Sequence, residues 1–516
     1  MHERRQEWDA THEVIVVGSG AGAMTGALIA AADGHDTVVL ERTALLGGTS
    51  AYSGAACWLP GTQVQERAGL GDSTEAAETY LRTLTGDAEP ERREAFLRHA
   101  PELVARLEQD PALTFAWQAF PDYVPAPGRM DAGRSFVPLD LEPEELGDLL
   151  PLVRPAVDRD RAGQGHPDGP LRQGRALIGR LLLAATRTGN AHIRTGHHVT
   201  GLVTEDGRIT GVEARTPHGT VRIRAVRGVL LAAGGFEGDD TLRTENRVPG
   251  TAAWSMAPRG TNTGEVLRAA VAAGAATGLM DEAWWCPGTE LPDGSAAFTL
   301  GLRGGIVVDG DGRRFADESL PYDRMGRAIA AAQAPAHLVF DSRQGGALPA
   351  ITVPPVGPAG HPTAAAWVRA DSLPELAALI GVPAEALTGT VARFNGFAAT
   401  GTDEDHHRGE DPYGLFFADR KNAPGPNPCL VPLDRPPYYA VRLVPADLGT
   451  KGGLRTDPDA RVLDTGGRPL PGLYAAGNTS ASFTGRVYPG PGVPIGTAMV
   501  FASLAVRHMT AGPGPA

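Results

Sequence analysis

Residues 14–17 (Val-Ile-Val-Val) are four apolar positions in a row, the pattern of a short strand buried on both faces of a parallel sheet. Small and apolar residues dominate positions 21–33 and give a helix, with Gly34 placed to cap its C-terminus. A second apolar run at 37–40 gives the next strand, so residues 1–60 read as a βαβ unit. From about 61 to 190 the spacing is helical, interrupted by Phe120-Pro-Asp-Tyr123-Val-Pro-Ala-Pro-Gly128. Residues 199–212, 221–224 and 228–232 alternate or run apolar in short stretches, the mark of a hairpin-rich insertion that returns to the parallel sheet at Leu230. After Met280 the pattern shifts to Pro-rich loops, 349–362 and 424–437 among them, around a helix pair at 374–380 and 383–394. Gly449-Thr-Lys-Gly-Gly-Leu454 brings the chain back to the first fold, and residues 510–516 read as a frayed tail. The pattern predicts an α/β fold: a Rossmann-like domain over 1–280 and 447–516, with a β insertion, interrupted by an inserted α+β domain over 281–446.

A chain of 516 residues, 42% hydrophobic and 21% charged, is globular and long enough for two or more domains. The 67 glycines and 43 prolines call for many loops around the regular elements. A formal net charge of −13 with no basic block excludes nucleic acid as a partner. Arg222, Arg224 and Arg227 alternate as the wet face of a strand. Cys57, Cys286 and Cys429 are isolated, so each is expected to be a small buried thiol in a reduced, cytoplasmic setting. No apolar core of a signal peptide and no run of about 18 apolar residues occurs, which predicts no transmembrane segment and leaves peripheral membrane contact open. Asp403-Glu-Asp-His406-His407 reads as a solvated acidic loop, and no metal is expected. Neither a Gly-x-Ser-x-Gly elbow nor a Walker loop is present.

The chemistry begins at the first turn. Gly18 permits a tight turn, Gly20 lets backbone approach a pyrophosphate, and Ala23 is small enough for close helix–strand packing. A helix N-terminus after this turn supplies N–H donors to phosphate. Glu41, ending the second strand, stands where a ribose hydroxyl is bound. Leu46-Gly47-Gly48-Thr49-Ser50 follows, with glycines and hydroxyls suited to a pyrophosphate and a flavin edge. Near the other end, Gly472-Leu-Tyr-Ala-Ala-Gly477-Asn478 and Tyr488-Pro-Gly-Pro-Gly492-Val-Pro-Ile-Gly496 return the chain to the same site.

At these residues the chain resembles the fumarate reductase and succinate dehydrogenase flavoprotein superfamily. Further matches are Leu231-Ala-Ala-Gly234-Gly235-Phe-Glu, Asn262-Thr-Gly264-Glu265, Arg314-Phe-Ala-Asp-Glu318 and the helical stretch 370–395. The resemblance implies FAD held by Gly18, Ser19, Gly20, Ala21, Gly22, Ala23, Glu41 and Arg42 at the first turn. It adds Gly47, Gly48, Thr49, Ser50, Gly54, Ala55 and Val199, then Ala233, Gly234, Asn262 and Gly264, and finally Gly477, Asn478, Pro494 and Ile495. Some members attach FAD through a His just after the Gly-Gly-Thr-Ser turn; Ala51-Tyr52-Ser53-Gly54 stands there instead, which implies non-covalent FAD.

Three tyrosine contexts, Phe120-Pro-Asp-Tyr123, Glu318-Ser-Leu-Pro-Tyr322 and Tyr488-Pro-Gly-Pro-Gly492, resemble the active site of the 3-ketosteroid Δ1-dehydrogenases. That resemblance implies that Tyr488 and the Gly492 N–H bind the C3 ketone oxygen and that Tyr322 removes the C2 proton with help from Tyr123. It also implies that FAD takes the hydride from C1 and passes electrons to a quinone-like acceptor. Phe120 would wall the steroid pocket. Pro494 departs from many relatives, and Pro at a helix start is sound. Alternatives are a desaturase of another bond, such as Δ4-(5α), or of a non-steroid cyclic ketone. A fumarate-reductase-like enzyme needs Arg and His groups for two carboxylates, where this chain offers Tyr and apolar residues. A non-enzymatic FAD-binding protein is opposed by the presence of all three tyrosines.

Overall fold

The computed structural model describes residues 7–332, 335–356, 367–421 and 423–512. The chain divides into two units: Met1–Leu242, Ala257–Glu282 and Gly449–Ala516 form the first, Arg243–Met256 and Ala283–Leu448 the second. The sequence pattern left the excursion Arg243–Met256 in the first domain. It is pinned by one distant carboxylate: Arg243 Nη1 donates to Asp447 Oδ2 (2.7 Å) and Ser255 Oγ to Asp447 Oδ1 (2.7 Å), and no local signal marks that pairing.

The first unit is built on an eight-stranded sheet. Ala10–Val17 lies at its centre, and residues 14–17 are almost fully buried, as an apolar run covered on both faces must be. Parallel partners flank it: Thr37–Leu40 and then Ala191–Arg194 on one side, Gly219–Leu231 and then Pro469–Ala475 on the other. Arg461–Leu463 closes one edge antiparallel. The stretches expected at 221–224 and 228–232 are one strand, because its first half pairs antiparallel with Arg208–Thr216 while its second half continues in the parallel sheet. Leu230 stands opposite both Val16 and Tyr474. Region 61–190 is largely helical, but its interruption is bounded by a small ribbon, Phe115–Trp117 against Phe136–Pro138; strands of three residues leave no readable period.

Helix Ala21–Ala32 is buried along nearly its whole length. Its small residues are a packing requirement: a Cβ on Gly22 would lie 2.8 Å from Ala498 O, and one on Gly26 2.8 Å from Leu230 Cδ2. Ala498 belongs to the last helix, Val493–Thr510.

The second unit holds a seven-stranded sheet. On one face the helix pair Leu373–Ile380 and Ala384–Thr400 packs Leu376, Leu387, Val391 and Phe394 against Ile306, Val339 and Ala440. Met325 and Ile329 of helix Tyr322–Ala331 join Val307, Leu338 and Leu443 in a second cluster. Asp403, expected in a solvated loop, is instead buried and bound to Arg314 Nη2 (2.8 Å), which also meets Glu318 (2.8 Å). Arg408 Nη1 donates to Glu318 Oε2 (3.1 Å), and both guanidinium groups lie over the Phe394 ring. Burial alone would raise the Glu318 carboxyl, but Arg314 and Arg408 outweigh it and hold it below its ordinary value of 4.5. Asp403 is likewise held below 3.8, hydrogen bonds from Arg314 outweighing its burial.

All three cysteines are free and buried, and burial pushes the Cys57 thiol up to about 12. Among the described residues no helix is long and apolar enough to cross a membrane. Of the loop expected at 349–362, Ile351–Val353 is a strand; residues 357–362 and the tail residues 513–516 lie outside the described residues, as do residues 1–6.

Candidate active site

Strand Ala10–Val17 passes into helix Ala21–Ala32 through Gly18-Ser19-Gly20. Gly18 has φ +101, and a Cβ there would lie 2.4 Å from Ala232 O, so only glycine makes this turn. Gly20 caps the helix in extended backbone, and the Ala21 N–H donates to Ser50 Oγ (3.1 Å). The buried Ser19 hydroxyl donates to Glu41 Oε2 (2.6 Å) and accepts from the Gly47 N–H (2.9 Å). One side chain thus ties the turn, the strand-end acid and the Gly47-Gly48 segment together. Glu41 Oε1 accepts from the Thr43 N–H (2.7 Å) and hydroxyl (2.9 Å). Arg42 Nη1 donates to Thr263 Oγ1 (2.6 Å) and Glu265 Oε2 (3.2 Å), which draws the 262–265 segment to the same edge.

Gly47 is left-handed at φ +110, and Gly48 opens the short helix Gly48–Tyr52 that contains Thr49 and Ser50. A Cβ on Gly48 or Gly54 would meet nothing within 4 Å, so the backbone there borders open space. Ala55, with φ +56, and Val199 are buried. Gly22 and Ala23 are buried too, and the missing side chain of Gly22 faces the last helix.

Two segments from later in the chain complete the cradle. The Ala233 N–H donates to Thr479 Oγ1 (2.9 Å), whose hydroxyl donates to Gly234 O (2.8 Å). Gly234 admits no side chain, since a Cβ would lie 2.6 Å from Asn262 Nδ2. That amide donates to Glu237 Oε1 (2.5 Å) and Thr49 Oγ1 (3.3 Å). Glu237 is fully buried, and its Oε2 accepts from the Thr450 N–H (3.1 Å) and hydroxyl (3.0 Å). Sequence reasoning missed Glu237; an acid shortly after Gly234-Gly235 was the available signal. Gly264 is the left-handed cap of helix Glu265–Ala272, and Gly477 and Asn478 form a turn whose amide stands against Gly449. Pro494 and Ile495 lie in the first turn of the last helix, capped by Gly492 at φ +89.

This donor set fits FAD. Glycine turns and helix N-termini suit an anionic pyrophosphate, a carboxylate at the strand end suits a ribose, and open backbone borders Gly48 and Gly54. No His occurs between His35 and His99, so the segment after Gly48 offers none for covalent attachment.

The tyrosines fall in both units. Tyr123 and Tyr488, in the first, are 1% and 3% exposed, with ring centroids 5.2 Å apart at 62°. Phe120 stands edge-on to Tyr123 at 6.1 Å. The Tyr123 N–H donates to Pro489 O (2.8 Å), which joins the two loops through backbone as well. Gly492 carries no side chain for a steric reason: a Cβ would lie 2.1 Å from Ala56 O. Tyr322, in the second unit, opens helix Tyr322–Ala331 behind Pro321, and its ring meets Phe298 edge-on at 5.0 Å.

Among the described residues one group, His12, Asp36 and His192, has ligand-type atoms within 4.8 Å of one another. Both imidazoles reach Asp36 at 3.0 Å, and Arg194 Nη2 stands 3.3 Å from His12 Nε2. Hydrogen bonds account for this group, and the adjacent guanidinium disfavours a cation.

Residues 13–495 match the family of the FAD binding domain. The 3-oxosteroid 1-dehydrogenase of Rhodococcus opacus is 43% identical over 98% of this chain and 99% of its own. The 4-oxocyclohexanecarboxylate 2-dehydrogenase of Sinomonas cyclohexanicum is 37% identical over 96% of this chain and 92% of its own. The crystal structure of the 3-ketosteroid Δ1-dehydrogenase of Sterolibacterium denitrificans, in complex with 1,4-androstadiene-3,17-dione, superimposes with a TM-score of 0.89 at 34% identity, covering 97% of this chain and 99% of that one. By its glycine cradle, its helix caps and this near-complete likeness, the chain belongs to the 3-oxosteroid 1-dehydrogenase family of FAD-dependent oxidoreductases.

Proposed function

We propose that the chain dehydrogenates a 3-ketosteroid between C1 and C2. The observation that carries this reading is the pair of buried phenol rings, Tyr123 and Tyr488, 5.2 Å apart beside a helix-capping glycine, in a chain of this family. A proton at C2 is only weakly acidic, and its removal places negative charge on the C3 ketone oxygen. The Tyr488 hydroxyl and the Gly492 N–H donate to that oxygen, each donor being worth about 3–4 kcal/mol in such a role. Gly492 suits the task because its α-carbon is closed to any side chain. Tyr322 takes the C2 proton, a step typically worth about 10²–10⁴-fold, and Tyr123 assists it. Phe120 walls the pocket. When bound, FAD supplies the acceptor for the hydride leaving C1. The chain holds it non-covalently through the first turn, Glu41 at the ribose, Asn262, Gly264 and Asn478, with the first turn of the last helix toward the flavin. Electrons then pass to a quinone-like acceptor.

A second reading, a non-steroid cyclic ketone, is favoured by the 37% identity with a dehydrogenase of 4-oxocyclohexanecarboxylate. Both substrates share an acidifiable proton beside a ring ketone. Mixing the FAD-loaded protein, without oxygen, with androst-4-ene-3,17-dione and separately with 4-oxocyclohexanecarboxylate decides between them. Bleaching of the flavin with a 1,4-diene product from the steroid is the expected result. Bleaching by the small keto acid alone moves the assignment to the second reading.

A further inference from the structure

The loop that carries Tyr488 and Gly492 is held at alternate carbonyls. Val487 O accepts from Lys451 Nζ (2.7 Å) and Thr484 Oγ1 (2.9 Å). Pro489 O accepts from the Tyr80 hydroxyl (2.8 Å) and the Tyr123 N–H (2.8 Å). Pro491 O accepts from the Ser135 hydroxyl (2.5 Å). Lys451, Thr484, Tyr80 and Ser135 are each no more than 1% exposed, and the bonds from the Tyr80 and Ser135 hydroxyls are buried, so water does not compete there. Pro489 and Pro491 add fixed φ values and carry no N–H that would need an acceptor. Gly490 presses the loop onto a polar pair: a Cβ there would lie 2.6 Å from Trp58 Nε1 and 2.7 Å from Asp122 Oδ1, atoms that are hydrogen-bonded to each other at 2.8 Å.

Tyr80 does more than hold one carbonyl. The hydroxyl that donates to Pro489 O also accepts from the Val124 N–H (3.0 Å), next to Tyr123. A single oxygen therefore joins both tyrosine loops of this unit. Burial pushes its ionisation up, which keeps it a donor. Its ring is held separately, beneath the Arg134 guanidinium at 5.7 Å; Arg134 also lies over Trp58 and pairs with Asp122 (3.1 Å) and Asp72 (3.3 Å). Removing the Tyr80 hydroxyl alone should leave that frame standing.

We propose that Tyr80 and Ser135 are positioning residues of the dehydrogenation, whose hydroxyls set where the Tyr488 hydroxyl and the Gly492 N–H meet the ketone oxygen. The proposal rests on the reading of Tyr488 and Gly492 given above. Tyr80→Phe and Ser135→Ala, purified with FAD, are compared with the parent per bound flavin. Tyr80→Phe is expected to lower kcat by about 10–100-fold, the scale of a misplacement of about 1 Å, with KM little changed; Ser135→Ala moves in the same direction. The infrared C3=O stretch of bound 1,4-androstadiene-3,17-dione is expected to shift back toward its free value in both. A merely structural role would lower the melting temperature or FAD-loaded yield while leaving kcat per flavin and the carbonyl stretch in place. That outcome, in whichever variant folds, overturns the proposal. Tyr488→Phe, measured alongside, tests the underlying reading: a stretch moved by Tyr80→Phe but not by Tyr488→Phe removes Tyr488 as a donor and keeps the positioning of Gly492.

Discussion

Single residues in this protein do work that their own neighbours in sequence do not announce. Tyr322 is legible as a candidate only through the resemblance of Glu318-Ser-Leu-Pro-Tyr322 to the 3-ketosteroid Δ1-dehydrogenases, and its ring is buried against Phe298. Tyr322→Phe keeps that edge-on contact and removes only the hydroxyl. It is expected to retain FAD and ketone binding and to lose at least about 10²-fold in turnover, the lower range for a lost proton-transfer group; anaerobic flavin bleaching reads the rate directly, and near-parent bleaching would remove Tyr322 as the base. Ser19 and Glu41 were readable from the turn and the strand end, since each lies next to its glycine or apolar run. Tyr80 and Arg134 were not, and Glu237 was signalled only as the acid shortly after Gly234-Gly235. Tyr80 meets Pro489 across 409 positions, and Glu237 meets Thr450 across 213, so nothing local marks either bond.

Elements were legible where glycine and apolar runs punctuate them. The strand Thr37–Leu40 and the helix starting at Ala21 fall where the pattern puts them, because Gly20 and Gly34 punctuate them and both are buried along nearly their whole length. The ribbon at Phe115–Trp117 was lost because three residues define no period. Helix Ala21–Ala32 also gives a stability prediction. Gly22→Ala places a Cβ 2.8 Å from Ala498 O, backbone that cannot turn aside. The substitution is expected to cost about 1–3 kcal/mol through overpacking and to loosen FAD retention, seen as a lower melting temperature and flavin loss on gel filtration. Gly71→Ala, where a Cβ meets nothing within 4 Å, is the control and should leave both unchanged.

At the scale of the whole molecule, the second unit carries a pH dependence that its buried ion cluster sets. The second unit buries Glu318 and Asp403 with Arg314 and Arg408, and both carboxyls sit below their ordinary values. Depressed carboxyls contribute stability that is present in full above the ordinary range and is lost as pH falls through the folded values. The second unit is therefore expected to lose stability as pH drops below about 4.5, the ordinary value of Glu318. Glu318→Gln leaves buried Arg408 without its carboxylate and Arg314 with Asp403 alone, and should cost about 3–5 kcal/mol at pH 7. Its melting curve should approach that of the parent as the pH falls, and a constant gap between the two would refute the assignment. The last helix, finally, has a consequence in time. Its residues 493–510 cover the small-residue face of Ala21–Ala32, yet they are translated only after the whole second unit. At ~5–20 residues per second the interval is on the order of tens of seconds. Throughout it the nascent nucleotide turn lacks its partner helix, so that face of the cradle closes only after residues 493–510 have been made.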